Sequence, residues 1–504
     1  MRLSGKRVAG GWEHSASFHR KMVFKKLWFI RVGLLICAVL GFARIGCAAD
    51  EPASEDNFPP QAPPPPVSAA MPAFHAPDTP GRPKISGALS IQDAVLTALK
   101  HSPLVGAAVA VEKEASARTR QARADTKAQV SISGLLSRAS ADMPMFFNST
   151  PQTMSSPILR MPDKSSIGAT LMLMFPVYTG RRLSSAVQAA VQSERMAAGT
   201  RLAVAQDVVL SVRAAYWKAL LSRALVDVNR EVVKAAEEQV RISREKYEVG
   251  SVNLADVLRN QAFYAEAVQE LVNAQRDAEM ALVELKTVMG VSLASQIELK
   301  DTLRYEPVSG TADSALETAI KNRPELIAAN AAVQEAEAKR RFAKGSFSPQ
   351  IYFTAMGDTA SVSGSAMKGF GAGLMVSLPL ADGGLRRSQV AEADARLDAA
   401  EKQYQAAVLQ VGQDVANAWL SVQAAEANIR TSEAVVKQAE EQYRISSLRY
   451  EAGKAINLEV LDAIAALGRA RTDYLKAVYE YSLAKDKLLR AMGANLKGLS
   501  IEGH

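Results

Sequence analysis

The chain has 504 residues, of which 48% are hydrophobic and 22% charged, so it has enough apolar material for a core and is not a disordered polymer. It contains only two cysteines and five histidines, and both cysteines, Cys37 and Cys47, lie within the first 49 residues. These counts exclude a disulfide framework and a Cys/His zinc site. We therefore expect no metal and no cofactor.

The net charge of +8 belongs entirely to the N-terminus. Residues 1–49 hold nine Lys/Arg and one acidic residue, which leaves 51 basic and 51 acidic residues in the rest of the chain. The basic isoelectric point is therefore no sign of a polyanionic partner, and we expect no nucleic-acid binding.

Basic residues followed by an apolar run indicate a secretory signal peptide over residues 1–49. The apolar run, residues 32–43, is too short to span a bilayer comfortably and is followed by Cys47-Ala48-Ala49,. Met22 is an alternative start, because the segment that follows it already holds the basic, apolar and cleavage regions. Cys47 is a candidate for lipidation, although Arg44 stands where a lipobox has an aliphatic residue.

Eleven of the 21 prolines fall between Pro52 and Pro83, which predicts an extended tether over residues 50–85. Beyond it we find no apolar run of about 18 residues, the length that a transmembrane helix needs. An exported chain that crosses a second membrane must then do so with β-strands.

The rest of the sequence is an internal repeat. Residues 237–250 (EEQVRISREKYEVG) match residues 440–453 (EEQYRISSLRYEAG) at an offset of 203, whereas residues 98–108 match residues 319–329 at an offset of 221. The difference of 18 residues predicts a longer exposed loop in the first half, around residues 137–166. The predicted repeats are residues 86–310 and 311–493, with a tail at residues 494–504.

Each half has the same predicted order: helix, strand, loop, strand, very long helix and return helix. The long helices are predicted at residues 182–249 and 385–452, 68 proline-free residues each,, or about 100 Å at 1.5 Å per residue. Return helices at residues 252–289 and 458–492 are too short to line them alone, so the opening helix of each half must supply the missing length. The predicted strands are residues 129–136, 168–177, 350–356 and 370–380.

Four strands cannot close a barrel, and in lipid they would leave two edges with unpaired backbone groups. If they lie in a membrane, the chain must oligomerise. Two copies would give eight strands and a filled interior, and three would give twelve strands and a possible lumen. A soluble coiled-coil rod would also explain the helices, but it leaves the strands and the signal peptide unexplained.

This arrangement resembles the TolC-type outer-membrane efflux proteins over about residues 89–493. The resemblance rests on the tandem halves, the strand ends FPVYTG and LPLADGG, and the tips YEVGSVNLADVL and YEAGKAINLEVLDA. It implies a mainly α fold with membrane β-strands: long antiparallel helical hairpins form a tunnel, and four strands per chain contribute to a trimeric, twelve-stranded outer-membrane barrel. It places the chain in outer-membrane lipid of a Gram-negative envelope, with an extension into the periplasm.

The family implies an exit duct of a tripartite efflux or type I secretion system. Its partners would be two further copies of the chain, a periplasmic adaptor and an inner-membrane transporter of the resistance-nodulation-division or ABC type. We find no nucleophile, acid/base pair or nucleotide-binding loop, so we expect no enzyme activity. A periplasmic adaptor or coiled-coil scaffold is the alternative, although adaptors have one helical hairpin and this chain has two.

The resemblance also implies a gate at the helical tips, formed by Glu459, Asp462, Lys454 and Tyr450. Glu459 and Asp462 match constricting acidic residues, and three copies would bring six carboxylates to one axis, which favours cations. Ala455 stands where relatives carry a latching arginine. The alternative is that both acids are ordinary solvated charges in a first helical turn.

A docking surface for the adaptor's helical hairpins is implied at the same tips. The alternative for its glycines is a plain helix stop. The predicted docking residues are Val249, Gly250, Ser251, Ala452, Gly453 and Lys454.

Overall fold

The computed structural model describes residues 76–138, 165–362 and 365–494. The predicted signal peptide, Cys47, the first part of the tether, most of the long loop and the tail after residue 494 lie outside the described residues. In chain order the elements are β1 (Ser86–Leu89), α1 (Ile91–His101), α2 (Pro103–Ala124), β2 (Gln129–Arg138), β3 (Ser165–Tyr178), α3 (Arg182–Glu248), α4 (Leu254–Met289), β4 (Gln296–Leu299), α5 (Ala312–Asn322), α6 (Pro324–Lys344), β5 (Gln350–Val362), β6 (Ser365–Ser377), α7 (Leu385–Glu451) and α8 (Asn457–Ala491).

The two very long helices are confirmed. α3 and α7 have 67 residues each and end one residue before the predicted position. Both ends of α7, and the start of α8, lie 203 positions after their counterparts in α3 and α4, so the sequence repeat is a repeat of structure. Each long helix stops at a glycine with positive φ, Gly250 at 74° and Gly453 at 70°, the left-handed conformation that ends many helices.

The opening helices supply the length that the return helices lack, as predicted. Proline breaks each of them, at Pro103 between α1 and α2 and at Pro324 between α5 and α6. α2 packs along the first part of α3, where Thr119 Oγ1 donates to the Ala190 carbonyl, and α4 packs along the second part. In the described part of the chain, no single helix has the length and apolar composition of a membrane span, although α1 and α2 together, bent by 47°, do.

A short parallel pair of strands, β1 and β4, was not predicted from the sequence. They pair from Ser86 with Gln296 to Leu89 with Leu299, and four residues are too few to show an alternating pattern. The last part of the predicted tether is fixed beside them, because the Ile85 N–H donates to Ser295 Oγ and the Ser292 N–H donates to the Pro83 carbonyl. The core of this region centres on fully buried Tyr216.

The four predicted strands form one antiparallel sheet in the order β2-β3-β5-β6. The strands are longer than predicted, except that β6 ends at Ser377, before Pro379, which has no N–H to donate to a ladder,. Among the described residues, β2 and β6 each pair on one side only. The two hairpins of the chain therefore make one continuous four-stranded sheet whose two edges are open in the described part of the chain.

The register separates the sheet into two different faces. One face is apolar and uncovered, and its Phe370 side chain is 82% exposed; it carries Val130, Ile132, Leu171, Phe175, Phe370 and Leu374. The other is small, polar or methionine-bearing; it carries Ser131, Ser133, Thr170, Met172, Thr354 and Gly373. The sequence of β3 is rich in apolar residues, but Leu and Phe alternate along it with Thr and Met. This alternation is the two-faced pattern of a barrel strand.

A close backbone approach joins the sheet to the helices at Gly180. Its φ is +60°, and a Cβ there would lie 2.3 Å from Ser348 Cβ and 2.8 Å from the Gly345 carbonyl oxygen. Gly81 has a similar φ of +74° but open space around it. Both Gly→Ala changes incur the left-handed cost of about 1–2 kcal/mol, and only Gly180→Ala adds overpacking, which is about 1–3 kcal/mol. We expect a clearly larger loss of thermal stability in detergent for Gly180→Ala, and equal losses would contradict this junction.

Candidate functional site

The tips of the two helical hairpins hold every residue predicted for docking. Val249, Gly250 and Ser251 lie in the turn between α3 and α4, and Ala452, Gly453 and Lys454 lie in the turn between α7 and α8. All six are exposed. Apart from the adjoining residues, no atom of the described residues lies within 4 Å of a Cβ built at Gly250 or Gly453, so each turn presents bare backbone to a possible partner.

The predicted gate residues occupy different environments. Tyr450 is 3% exposed, and its hydroxyl has no hydrogen-bond partner among the described residues. Burial raises the pKa of Tyr450, and the negative charge of Asp256 adds to the rise. Glu459 lies in the first turn of α8, where the helix dipole favours an acid,. Asp462 is exposed and Lys454 extends from the turn.

Two basic residues that the sequence analysis missed hold the second tip. Arg449 pairs with Glu459 at 3.4 Å and donates to the Lys454 carbonyl. Lys246, from α3, donates to the Tyr450 carbonyl at the end of α7 and lies 4.1 Å from the centre of the Tyr450 ring. The signal was present: Lys246 and Arg449 are repeat equivalents, each four residues before the tip glycine. Arg449 is thus the basic residue that pairs with Glu459 at this tip.

A buried ring of three amides joins the two hairpins just above the tips. Gln239 Nε2 donates to Asn457 Oδ1 at 2.8 Å, Asn457 Nδ2 donates to Asn260 Oδ1 at 2.6 Å, and Asn260 Nδ2 donates to the Gln239 carbonyl at 3.2 Å. All three residues are at most 4% exposed. Because each amide satisfies the next, the ring fixes the start of α8 against α3 and α4.

Further up, α3 and α8 run antiparallel and are clamped by ion pairs. Arg471 of α8 bridges Glu231 of α3 and Glu440 of α7. Asp486, 4% exposed, accepts from Arg213 Nη1 at 2.5 Å and from Trp217 Nε1 at 2.8 Å. Trp217 therefore donates a hydrogen bond to a buried charge of the neighbouring helix.

A third clamp lies at the end of α8. The Arg490 guanidinium pairs with Asp207 of α3 and with Glu325 of α6, and Arg323 pairs with the same Glu325. Burial alone would raise the pKa of Glu325, but hydrogen bonding to Arg490 and the charges of both arginines outweigh it and hold that pKa below its usual value,. The carboxylate is therefore ionised at neutral pH.

No group of three or more His, Cys, Asp or Glu residues that could hold a metal ion occurs in residues 76–138, 165–362 and 365–494. The buried polar side chains of the α3/α8 seam are engaged with each other, in one amide ring and in ion pairs that join one repeat to the next. These contacts hold the two hairpins together.

Comparison with known proteins gives matches over both repeats. Residues 95–291 and 315–494 match the family model described as "Outer membrane efflux protein". The alkaline protease secretion protein AprF of Pseudomonas aeruginosa is 25% identical over 338 residues, 65% of this chain and 69% of AprF. The toluene efflux pump outer membrane protein TtgF of Pseudomonas putida is 22% identical over 342 residues, 67% of this chain and 71% of TtgF.

Among solved structures, the chain is similar to the outer membrane protein VceC of Vibrio cholerae. The TM-score is 0.66 at 22% sequence identity, and the match covers 80% of this chain and 96% of VceC. At this identity the likeness concerns the fold, and the fold includes both the long hairpins and the four strands.

Proposed function

The chain belongs to the outer membrane efflux protein family, and from this premise we propose that three copies assemble into one continuous duct. As a member of that family the chain is an outer-membrane channel, an exit duct for an efflux or secretion system. The family membership decides against the periplasmic adaptor or scaffold. The family consists of channels, and we infer that this chain has no catalytic activity and conducts passively.

The observation that supports a trimer most directly is the sheet with two open edges. β2 and β6 each leave one side unpaired, and the sheet's apolar face is uncovered. Unpaired backbone groups are very costly in lipid, so neighbouring copies must pair these edges. Three copies supply twelve strands, enough for a lumen, whereas two supply eight, which side chains would fill.

The helices give independent support for neighbouring copies. Leu409, Leu420 and Val435 of α7 are 76%, 62% and 46% exposed. They are the repeat equivalents of Gln206, Trp217 and Val232 of α3, a face that α8 covers within the chain. A second copy that brings its α4 to this face of α7 would bury them by the same packing.

We propose that the tips form the periplasmic gate, with Asp462 and Glu459 converging from three copies and Tyr450 and Lys454 beside them. Since Glu459 is already paired with Arg449 and Asp462 has no ion pair with a described residue, Asp462 would contribute most to the negative field at the constriction.

Removing these charges is expected to abolish cation preference. Glu459→Gln with Asp462→Asn should bring the cation-to-anion permeability ratio close to one, and Asp462→Asn alone should have the larger share of the effect. Reversal potentials across a planar bilayer in a salt gradient measure this ratio. The matched control is Asp473→Asn with Glu480→Gln, two exposed acids further along α8. An unchanged ratio in the tip variant would contradict the gate.

For the adaptor, we propose that its helical hairpins contact the six exposed turn residues at the two tips. Bare glycine backbone permits close approach there. Ala452→Trp, at a residue with an ordinary φ of −74°, should block capture of the adaptor while trimers still form. Ser421→Trp, exposed on α7 about 45 Å from the tip at 1.5 Å per residue, is the control. Undiminished capture with Ala452→Trp would refute this surface.

The energy for transport would come from an inner-membrane transporter of the resistance-nodulation-division or ABC type. AprF is named for protease secretion and TtgF for toluene efflux, so relatives of this chain serve more than one class of cargo. We infer that cargo is selected mainly by the transporter.

The experiment that tests the duct is conductance of the detergent-extracted full chain in a planar bilayer. We expect discrete ion-conducting steps from the trimer fraction. If the trimer fraction inserts and carries no current at any voltage or salt concentration, the proposal fails.

A further inference from the structure

The four segments that join the sheet to the helices α2, α3, α6 and α7 are basic. They are residues 123–128, 179–184, 344–349 and 378–388, and together they hold seven Lys/Arg and two Asp, a net charge of +5. Residues 50–504 as a whole are neutral. All four segments meet at the same end of the sheet, where β2 and β5 begin and β3 and β6 end.

Each of the four segments holds an exposed cation that has no partner in the described structure. Lys127, Arg181, Lys344 and Arg387 are exposed and form no ion pair with a described residue. Their neighbour Arg386, by contrast, is engaged with Asp382. We call these four residues, one from each segment, the basic girdle.

Apolar and aromatic side chains stand at the same level as the basic girdle. Tyr178, at the end of β3, is 47% exposed, Phe347, three residues before β5, is 48% exposed, and Leu380, three residues after β6, is 89% exposed. Aromatic residues next to cations at the end of an apolar sheet are typical of the boundary between hydrocarbon and headgroups.

Arg181 is notable within the girdle. Its φ is +65°, and it is the only non-glycine with positive φ among the described residues, whereas its repeat equivalent is Gly384. An arginine in the left-handed backbone conformation costs about 1–2 kcal/mol relative to an unstrained conformation. An arginine at this position therefore lowers the local stability of the turn.

We propose that the basic girdle binds the headgroups of anionic phospholipids in the leaflet that faces the helical tunnel. This inference rests on the proposed function, because it requires the sheet to lie in the membrane. The apolar face ends where the girdle begins, so bilayer phosphates would lie at the height of the girdle. Unpaired Lys and Arg at that height attract anionic over zwitterionic headgroups, and a trimer would present twelve such cations around its circumference.

The test uses the full-length trimer, purified in detergent and exposed to equal amounts of phosphatidylglycerol and phosphatidylcholine, with bound lipid counted by native mass spectrometry. We expect at least a tenfold excess of phosphatidylglycerol on the unmodified protein. The girdle variant, Lys127→Gln, Arg181→Gly, Lys344→Gln and Arg387→Gln, should lose that excess. Arg181→Gly introduces the residue of the equivalent position, so it also relieves the strain.

The control variant removes four exposed and unpaired lysines away from the junction: Lys234→Gln, Lys321→Gln, Lys402→Gln and Lys476→Gln. It changes the net charge equally and should keep the preference. Equal binding of both lipids by the unmodified protein, or equal loss in both variants, would overturn the girdle. If the proposed duct itself were wrong, the result would differ from a loss of lipid preference. The protein would then form no trimer and would insert into vesicles of neither lipid.

Discussion

Asp486→Ala is expected to destabilise the protein by about 3 kcal/mol, the lower end of the range for breaking a buried ion pair. The change leaves the Arg213 guanidinium and the Trp217 N–H without their acceptor inside the α3/α8 seam. The lower end applies because the Arg213 side chain is 23% exposed and water can reach part of it. Thermal denaturation of the trimer in detergent measures the loss.

Two further variants identify the cause of the stability loss in Asp486→Ala. Glu480→Ala removes an exposed acid from the same helix and should change little,. Asp486→Leu combined with Arg213→Met replaces the pair by apolar side chains and should recover most of the stability, since the main cost of the single change is an uncompensated buried charge. A single variant as stable as Glu480→Ala would show that the ion pair does not hold the seam.

Asn457→Ala is expected to open the gate. It removes the middle amide of the buried ring, leaving Gln239 Nε2 and Asn260 Oδ1 without partners, and each unsatisfied buried group costs about 1–3 kcal/mol. If opening separates the second hairpin from the first, this cost falls on the closed state only. A closed state weakened by about 1.4–2.8 kcal/mol raises the ratio of open to closed channels by about tenfold to hundredfold.

Single-channel recording measures that ratio directly. The control is Asn428→Ala, an exposed asparagine on α7 outside the ring, which should leave the open probability unchanged. An Asn457→Ala trimer that conducts with the unmodified open probability would mean that the amide ring does not hold the gate closed.

The elements that the sequence predicted are those with long or strongly repeated patterns. The 67-residue helices α3 and α7 follow from composition and the absence of proline, and the repeat offset fixed both tips at once. The sheet was predicted as two hairpins, and pairing of β3 with β5 across the repeats could not be read from either half alone. β1 and β4 are too short to show a period,.

The candidate site was predicted only where a turn or a motif marks it. Glycine marks both tips, so the proposed docking residues were predicted as a group. The side chains that hold the tips together were missed. Lys246 and Gln239 act across hairpins that are about 200 residues apart in sequence, and Arg449 acts within its own hairpin, across the turn to Glu459. Such partners depend on the relative rotation of packed helices, which one sequence does not specify.

The most direct test of the central claim is the mass of the particle extracted from membranes, measured by native mass spectrometry. The open edges of β2 and β6 and the uncovered apolar face of the sheet predict a trimer that stays in solution only with detergent. A monomer that is soluble in water without detergent would contradict the account.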